Sequence, residues 1–199
     1  MSHIIDSFTQ KKLIALNNEI TSCRQCANVT YFSHNSIHQG KNNRILLIGE
    51  SPAQNGWIIT GNAWRDNNGK IVPSWRILQK LLDIIGLSLL DITFTEAAKC
   101  YPKERKMLKT CTKNCRPFLE KQISLLEPEI IITLWDHPTK SFLWDMYKKF
   151  SEVVGIPRIV EIKWKQYALL PIYHPSPVSP LSYKWNVEIF EKLKVILNK

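Results

Sequence analysis

The chain contains no hydrophobic run long enough to span a bilayer, and its start, MSHIIDSFTQKK, has no apolar middle segment of the kind a signal peptide needs. A soluble, cytoplasmic protein without membrane contact is expected. No internal repeat, low-complexity tract or Gly/Ser linker interrupts the 199 residues, which predicts one domain over residues 1–199. Acidic side chains are scarce. Against 27 Lys plus Arg there are only 17 Asp plus Glu, a net charge of +10. That excess points to a polyanionic partner, nucleic acid ahead of a membrane surface because no amphipathic basic helix dominates. General solubility is the plain alternative.

A disulfide framework is not expected of a cytosolic chain, yet five cysteines are present. Cys23 and Cys26 form C-x2-C, Cys100 stands alone, and Cys111 and Cys115 form C-x3-C. Two separated thiol groups, one of them C-x2-C, are a usual way to surround a metal or an iron–sulfur cluster with four thiolates. Unpaired buried cysteines acting as small hydrophobes are the alternative.

Four short apolar runs predict buried parallel strands: Arg44 to Gly49, Ile92 to Ala98, Glu129 to Leu134 and Tyr167 to Tyr173. Helices are expected from about Ser7 to Ile20, from a Ser74 cap to Ile85 with Gly86 at C′, from Phe118 to Leu126 behind Pro117, from His137 to Phe150, and from Tyr183 to Leu197. Strands alternating with helices give an α/β fold, a three-layer α/β/α sandwich around a central four-stranded parallel sheet. Sites in such folds lie at the carboxyl ends of the strands. Three of the four runs end in polar or titratable residues, at Gly49-Glu50-Ser51-Pro52, Glu96-Ala97-Ala98-Lys99-Cys100 and His174-Pro175-Ser176-Pro177. Their convergence at one sheet edge marks a candidate active site.

In this order the segments resemble the uracil-DNA glycosylase superfamily, and specifically its iron–sulfur branch, family four. The resemblance runs from Cys23 to about Pro180. It rests on C-x2-C, L-L-I-G-E-x-P, Gly61-Asn62-Ala63-Trp64, T-x-x-x-K-C at Thr95 to Cys100, C-R-P-F-L-x-x-Q-I from Cys115, and H-P-S. It implies a DNA glycosylase of base excision repair, monomeric, with DNA as partner, no obligatory protein partner evident, and nucleoid association in a prokaryote. It implies a 4Fe–4S cluster on Cys23, Cys26, Cys100 and Cys115. Zinc is the other occupant four cysteines accept, and Cys111 is close enough to Cys115 to replace it.

The resemblance also implies roles. His174 would hydrogen-bond O2 of the extruded base, Glu50 would position water and offset cationic charge on the sugar, and Ser51 would line the base site. Trp64 stands where relatives carry an aromatic that stacks on the base. Ser176, Ser179 and Leu181 match the loop that enters the duplex, with Leu181 a possible wedge and the serines phosphate donors. The Tyr101–Asn114 loop, with Lys103, Arg105 and Lys106, reads as a phosphate-contacting surface. Glu96 departs from the family's Asn. Ionised, it would repel uracil O4 and accept from a cytosine amino group; protonated, it would imitate Asn and accept uracil. The base therefore stays open between uracil and a modified cytosine. A DNA-binding relative with weak turnover is a further alternative.

Overall fold

The computed structural model of the chain describes residues 5–197. The apolar runs become strands because each is buried on both faces. Along β3 (Ile45–Gly49), Ile45 and Leu47 enter one hydrophobic core, while Leu46 and Ile48 enter the other. With β4 (Thr93–Glu96), β6 (Ile130–Leu134) and β8 (Lys165–Ile172), it forms the parallel centre of the sheet in the order β4-β3-β6-β8. Two antiparallel edge strands complete a mixed six-stranded sheet: β2 (Ile37–His38) beside β4, and β7 (Arg158–Ile162) beside β8. The parallel centre is as the sequence predicts; the edge strands are additions. β7 alternates exposed and buried residues, the pattern of a strand with one wet face.

Helices cover both faces. α1 (Ser7–Ser22), α4 (Leu108–Leu126) and α5 (Asp136–Leu143) pack on the Leu46/Ile48 side. α2 (Trp57–Thr60), α3 (Pro73–Ile84) and α6 (Pro180–Leu197) pack on the Ile45/Leu47 side. Asp6 caps α1 by accepting from the N–H groups of Phe8 and Thr9, both at 2.8 Å. α3 opens through Pro73 at its first turn rather than on a Ser74 cap. It ends at Gly86 (φ +72°), where Leu87 N–H reaches Leu82 C=O at 3.1 Å and Gly86 N–H reaches Asp83 C=O at 3.2 Å. Only glycine adopts that turn without strain, and the pair of bonds closes a Schellman cap.

Two further expectations need correction, and one element is new. Pro117 lies inside α4, not at its entrance, so much of the expected basic loop is helical. The proline is exposed on the wet face, as is Lys113 one turn before it, so water can satisfy the carbonyl left without a donor. α5 stops at Leu143, because the chain turns through Trp144 at φ +43°. Finally, β1 (Val29–Thr30) pairs antiparallel with β5 (Tyr101–Pro102), a two-stranded ribbon outside the main sheet that stitches the N-terminal cysteine segment to the one after Cys100. No helix among the described residues is long and apolar enough to cross a membrane.

Candidate active site and cysteine cluster

Gly49 and Glu96 pair in register at the ends of β3 and β4. The ladder continues beyond them, with Ala97 N–H on Gly49 C=O at 2.9 Å and Ala98 N–H on Glu50 C=O at 3.0 Å. Two neighbouring carboxyls are thereby fixed on rigid backbone. The bare Cα of Gly49 leaves the room that the Glu96 carboxyl occupies, since a Cβ there would displace Glu96 Oε2. On the far side of β6, buried Asn186 of α6 holds the end of β8: its Oδ1 accepts from Tyr173 N–H at 3.0 Å and its Nδ2 donates to Tyr173 C=O at 2.8 Å. That clamp sets the backbone from which His174 projects.

These strand ends open on a cavity of about 560 Å³ whose walls include Glu50, Ser51, Glu96, His174, Ser176 and Ser179. Six residues from distant parts of the sequence thus share one space. Ser179 is paired with Ser182, Oγ to Oγ at 2.6 Å. The backbone of Leu181 opens the first turn of α6, and its side chain lies outside the described residues. Val178, at the tip of the same loop, is exposed.

The two carboxyl environments differ. Glu96 is 7% exposed, and its Oε2 has no hydrogen-bond partner among the described residues. Desolvation drives its pKa well above the usual carboxylate range; Lys99 opposes the shift and Glu50 adds to it. The Lys99 ammonium makes no ion pair with Glu96. It donates to Thr95 Oγ1 at 2.8 Å, Gln122 Oε1 at 2.6 Å and the Glu96 carbonyl at 2.5 Å, while burial brings its pKa down to about 7. Glu50 is gripped by Arg105, one guanidinium nitrogen on each carboxylate oxygen, the Nη2–Oε2 bond at 2.8 Å. Arg105 is exposed and stands at the rim of the cavity, among the cations of the same segment.

His174 is open to the cavity, and neither ring nitrogen has a hydrogen-bond partner among the described residues. Desolvation lowers its pKa and the Glu50 charge partly restores it, so the imidazole is neutral in the neutral range. His137, at the start of α5, feels the same Glu50 charge and is also lowered by burial.

Trp64 is placed elsewhere. It is buried in the core, edge-on to Trp75 at 5.1 Å and to His38 at 4.9 Å, and is not part of the cavity wall. The indoles that do line the cavity are Trp57, Trp75 and Trp135. Sequence reasoning missed them, along with Arg105 as a partner of Glu50 and Asn186 as the clamp on β8. None carries a local signal, because each acts through a residue distant in sequence.

Lys103, Lys109 and Lys113 are exposed and make no ion pair among the described residues, whereas Lys106 is paired with Glu104 at 2.7 Å.

The cysteines gather around the segment that follows β4. The β1–β5 ribbon brings Cys23 and Cys26 against Cys100, and α4 contributes Cys111 and Cys115, one turn apart and both buried. Cys23, Cys26, Cys100 and Cys115 line one small cavity, and Cys111 does not. Cys111 packs with Val29, Ala98 and Leu108, and also beside Cys26 and Cys100, with a thiol hydrogen bond to Cys26. Lys99 N–H points at Cys115 Sγ (3.2 Å) and Asn114 Nδ2 at Cys26 Sγ (3.4 Å), the donors that sulfur ligands of metal centres commonly receive. Burial and the neighbouring thiols push Cys115 up to about 11 and Cys111 up to about 12. Among the described residues, no three His, Cys, Asp or Glu side chains converge closely enough to hold a single metal ion.

This chain is similar to known proteins along nearly its whole length. It is 30% identical over 193 residues to the type-4 uracil-DNA glycosylase of Saccharolobus solfataricus, covering 91% of this chain and 84% of that one. It is 28% identical over 191 residues to the type-4 uracil-DNA glycosylase of Sulfurisphaera tokodaii, covering 90% and 82%. The type-4 uracil-DNA glycosylase of Archaeoglobus fulgidus is 28% identical over 169 residues, covering 80% and 79%. The family model of the uracil DNA glycosylase superfamily matches residues 37–194, the stretch that builds the sheet and all three polar strand ends. The chain belongs to the uracil-DNA glycosylase superfamily, on its family-four branch.

Proposed function

We propose that the protein draws a uracil nucleotide out of DNA into the strand-end cavity and hydrolyses its C1′–N1 bond, opening base excision repair. The observation that carries this reading is Glu96: a buried carboxyl with a partnerless oxygen in the wall of a nucleotide-sized cavity. Held protonated by its raised pKa, it offers one O–H donor for uracil O4 and one carbonyl acceptor for N3–H, the pair an Asn would supply. Along the sheet the order is Glu96 on β4, Glu50 after β3 and His174 after β8, so the base spans the strand ends with His174 at O2.

As the glycosidic bond breaks, its electron pair moves to the base and negative charge grows on O2. The neutral His174 ring donates to that oxygen, and the Glu50 carboxylate faces the cationic sugar. With both its oxygens on Arg105, Glu50 is a fixed anion, better suited to charge compensation than to taking a proton. Water adds at C1′ and its proton passes to solvent. Ser176 and Ser179 of the loop before α6, with Ser182 in its first turn, would donate to a phosphate, and exposed Val178 is the apolar tip that would enter the vacated stack.

The test is a panel of oligonucleotides carrying uracil, other deaminated bases or modified cytosines, incubated with the protein and cleaved in alkali. Strand breaks at uracil support the reading. Breaks only at a modified cytosine would mean that Glu96 works ionised.

The cysteine site fits a 4Fe–4S cluster on Cys23, Cys26, Cys100 and Cys115. Four thiols lining one cavity are a donor set that both a 4Fe–4S cluster and zinc accept, and the family-four resemblance favours the cluster. Such a cluster would supply cross-links between the N-terminal segment, Cys100 and α4. Anaerobically purified protein should contain iron. Alanine at Cys23, Cys26, Cys100 or Cys115 should lose it, and Cys111→Ala should retain it by metal analysis. Stoichiometric zinc with no iron would overturn the assignment.

Lys103, Lys109 and Lys113 form the free part of the phosphate surface. Neutralising all three should flatten the slope of log K against log salt by roughly 2 to 3 units for duplex binding. An unchanged slope would place the DNA elsewhere.

A further inference from the structure

Trp135 adopts a backbone conformation that its side chain disfavours. At φ +80°, ψ −175° it occupies a region essentially reserved for glycine. The sheet imposes this, since Trp135 N–H donates to Ile172 C=O at 2.9 Å and so carries the β6–β8 pairing one step past the strand. Packing does not require an indole here. The ring rests on Phe150 at 5.1 Å and Tyr173 at 5.8 Å, but it stays 40% exposed in the wall of the cavity. The two other indoles of that wall are 3% and 9% exposed, with Trp57 against Phe32 and Phe94, and Trp75 against Trp64 and Phe94. Of the cavity's tryptophans, Trp135 therefore offers the open aromatic surface. It does so from the end of the strand between those that carry Glu50 and His174.

We propose that Trp135 is a nucleobase-stacking residue that holds the extruded base in the cavity, a role that Trp64, sealed in the core, cannot perform. The inference rests on the glycosylase reading above. A strained backbone on a rigid sheet fixes the ring before DNA arrives, so little freedom is lost when a base stacks on it.

Three variants test it: Trp135→Ala, Trp135→Gly and Trp135→Phe. The glycine variant should melt above the alanine variant, the reverse of the usual order in extended backbone, because glycine alone relieves the φ. An alanine variant as stable as the glycine one would remove the strain and the inference with it. In single-turnover uracil release, alanine and glycine should each lose roughly tenfold while phenylalanine retains most of the rate. A second readout needs no catalysis. An oligonucleotide with 2-aminopurine at the target position should be quenched on binding to the wild type and the phenylalanine variant, and much less by the other two. If the wild type releases no uracil but the quench depends on Trp135, the stacking role stands and the proposed reaction fails. If the wild type releases uracil and Trp135→Ala matches it in rate and quench, the reaction stands and the stacking role fails.

Discussion

Uracil release by the wild-type protein should fall as pH rises through the titration of Glu96, and Glu96→Gln should abolish the fall. The sign follows from burial. Desolvation raises the folded-state pKa, so the acid keeps its proton above the normal carboxylate range and loses it only on further alkalinisation. The protonated form gives uracil a donor and an acceptor. The carboxylate gives acceptors only, loses the bond to O4 and repels it. A matched hydrogen bond exchanged for an unsatisfied one in a closed site is worth about 1 to 3 kcal/mol, roughly tenfold to a hundredfold in rate. Glutamine keeps both groups and cannot titrate, so its profile should be flat where the wild type declines. Single-turnover excision across pH is the measurement. A wild-type rate that climbs with pH while the glutamine rate stays flat would show that the ionised form is the active one. Linkage gives a stability counterpart. A raised folded pKa means stability that is present below the unfolded pKa near 4.5 and lost as pH rises towards the folded value, so Glu96→Gln should gain melting temperature over the wild type on the alkaline side.

His174→Ala should carry the largest single loss, on the order of 10² to 10³ in single-turnover rate, the usual cost of removing one donor to a developing oxyanion. The ring is uncommitted within the protein, and its lowered pKa keeps it a neutral N–H donor in the neutral range. Its backbone is set by the Asn186 clamp, not by the imidazole, so the alanine variant should melt near the wild type. Glu50→Gln should also lose rate, with unchanged fold, because it removes the negative charge facing the sugar and weakens the hold of Arg105. Full activity in either variant, confirmed as folded by circular dichroism, would remove that residue from the mechanism.

The parallel core was legible because strands buried on both faces are near-continuously apolar, as RILLIG and EIIITL are. β7 was not, since RIVEI sets Arg158 and Glu161 among its apolar residues and so resembles a connection until its partner β8 is known. α4 was half concealed by Pro117, whose position on the wet face only the packed helix reveals. At the site, polar residues at strand ends were a reliable pointer, and Glu50, Glu96 and His174 do meet in one cavity. Motif position located Trp64 along the chain but not in space. Whether an indole faces a cavity or a core is decided by Trp75, Phe94 and His38 around it. Arg105 sat in a run of cations that reads as a wet surface, and its carboxylate partner lies 55 residues away. Trp135 gave no signal at all, because a residue that tolerates positive φ announces such a turn and tryptophan does not.

Mass spectrometry of a uracil-containing oligonucleotide incubated with stoichiometric protein at neutral pH shows whether the C1′–N1 bond is hydrolysed. Free uracil and an unbroken strand bearing one abasic site should form in equal amounts, and His174→Ala should suppress both together. An intact uracil-bearing strand after exhaustive incubation with folded protein would contradict the proposed hydrolysis.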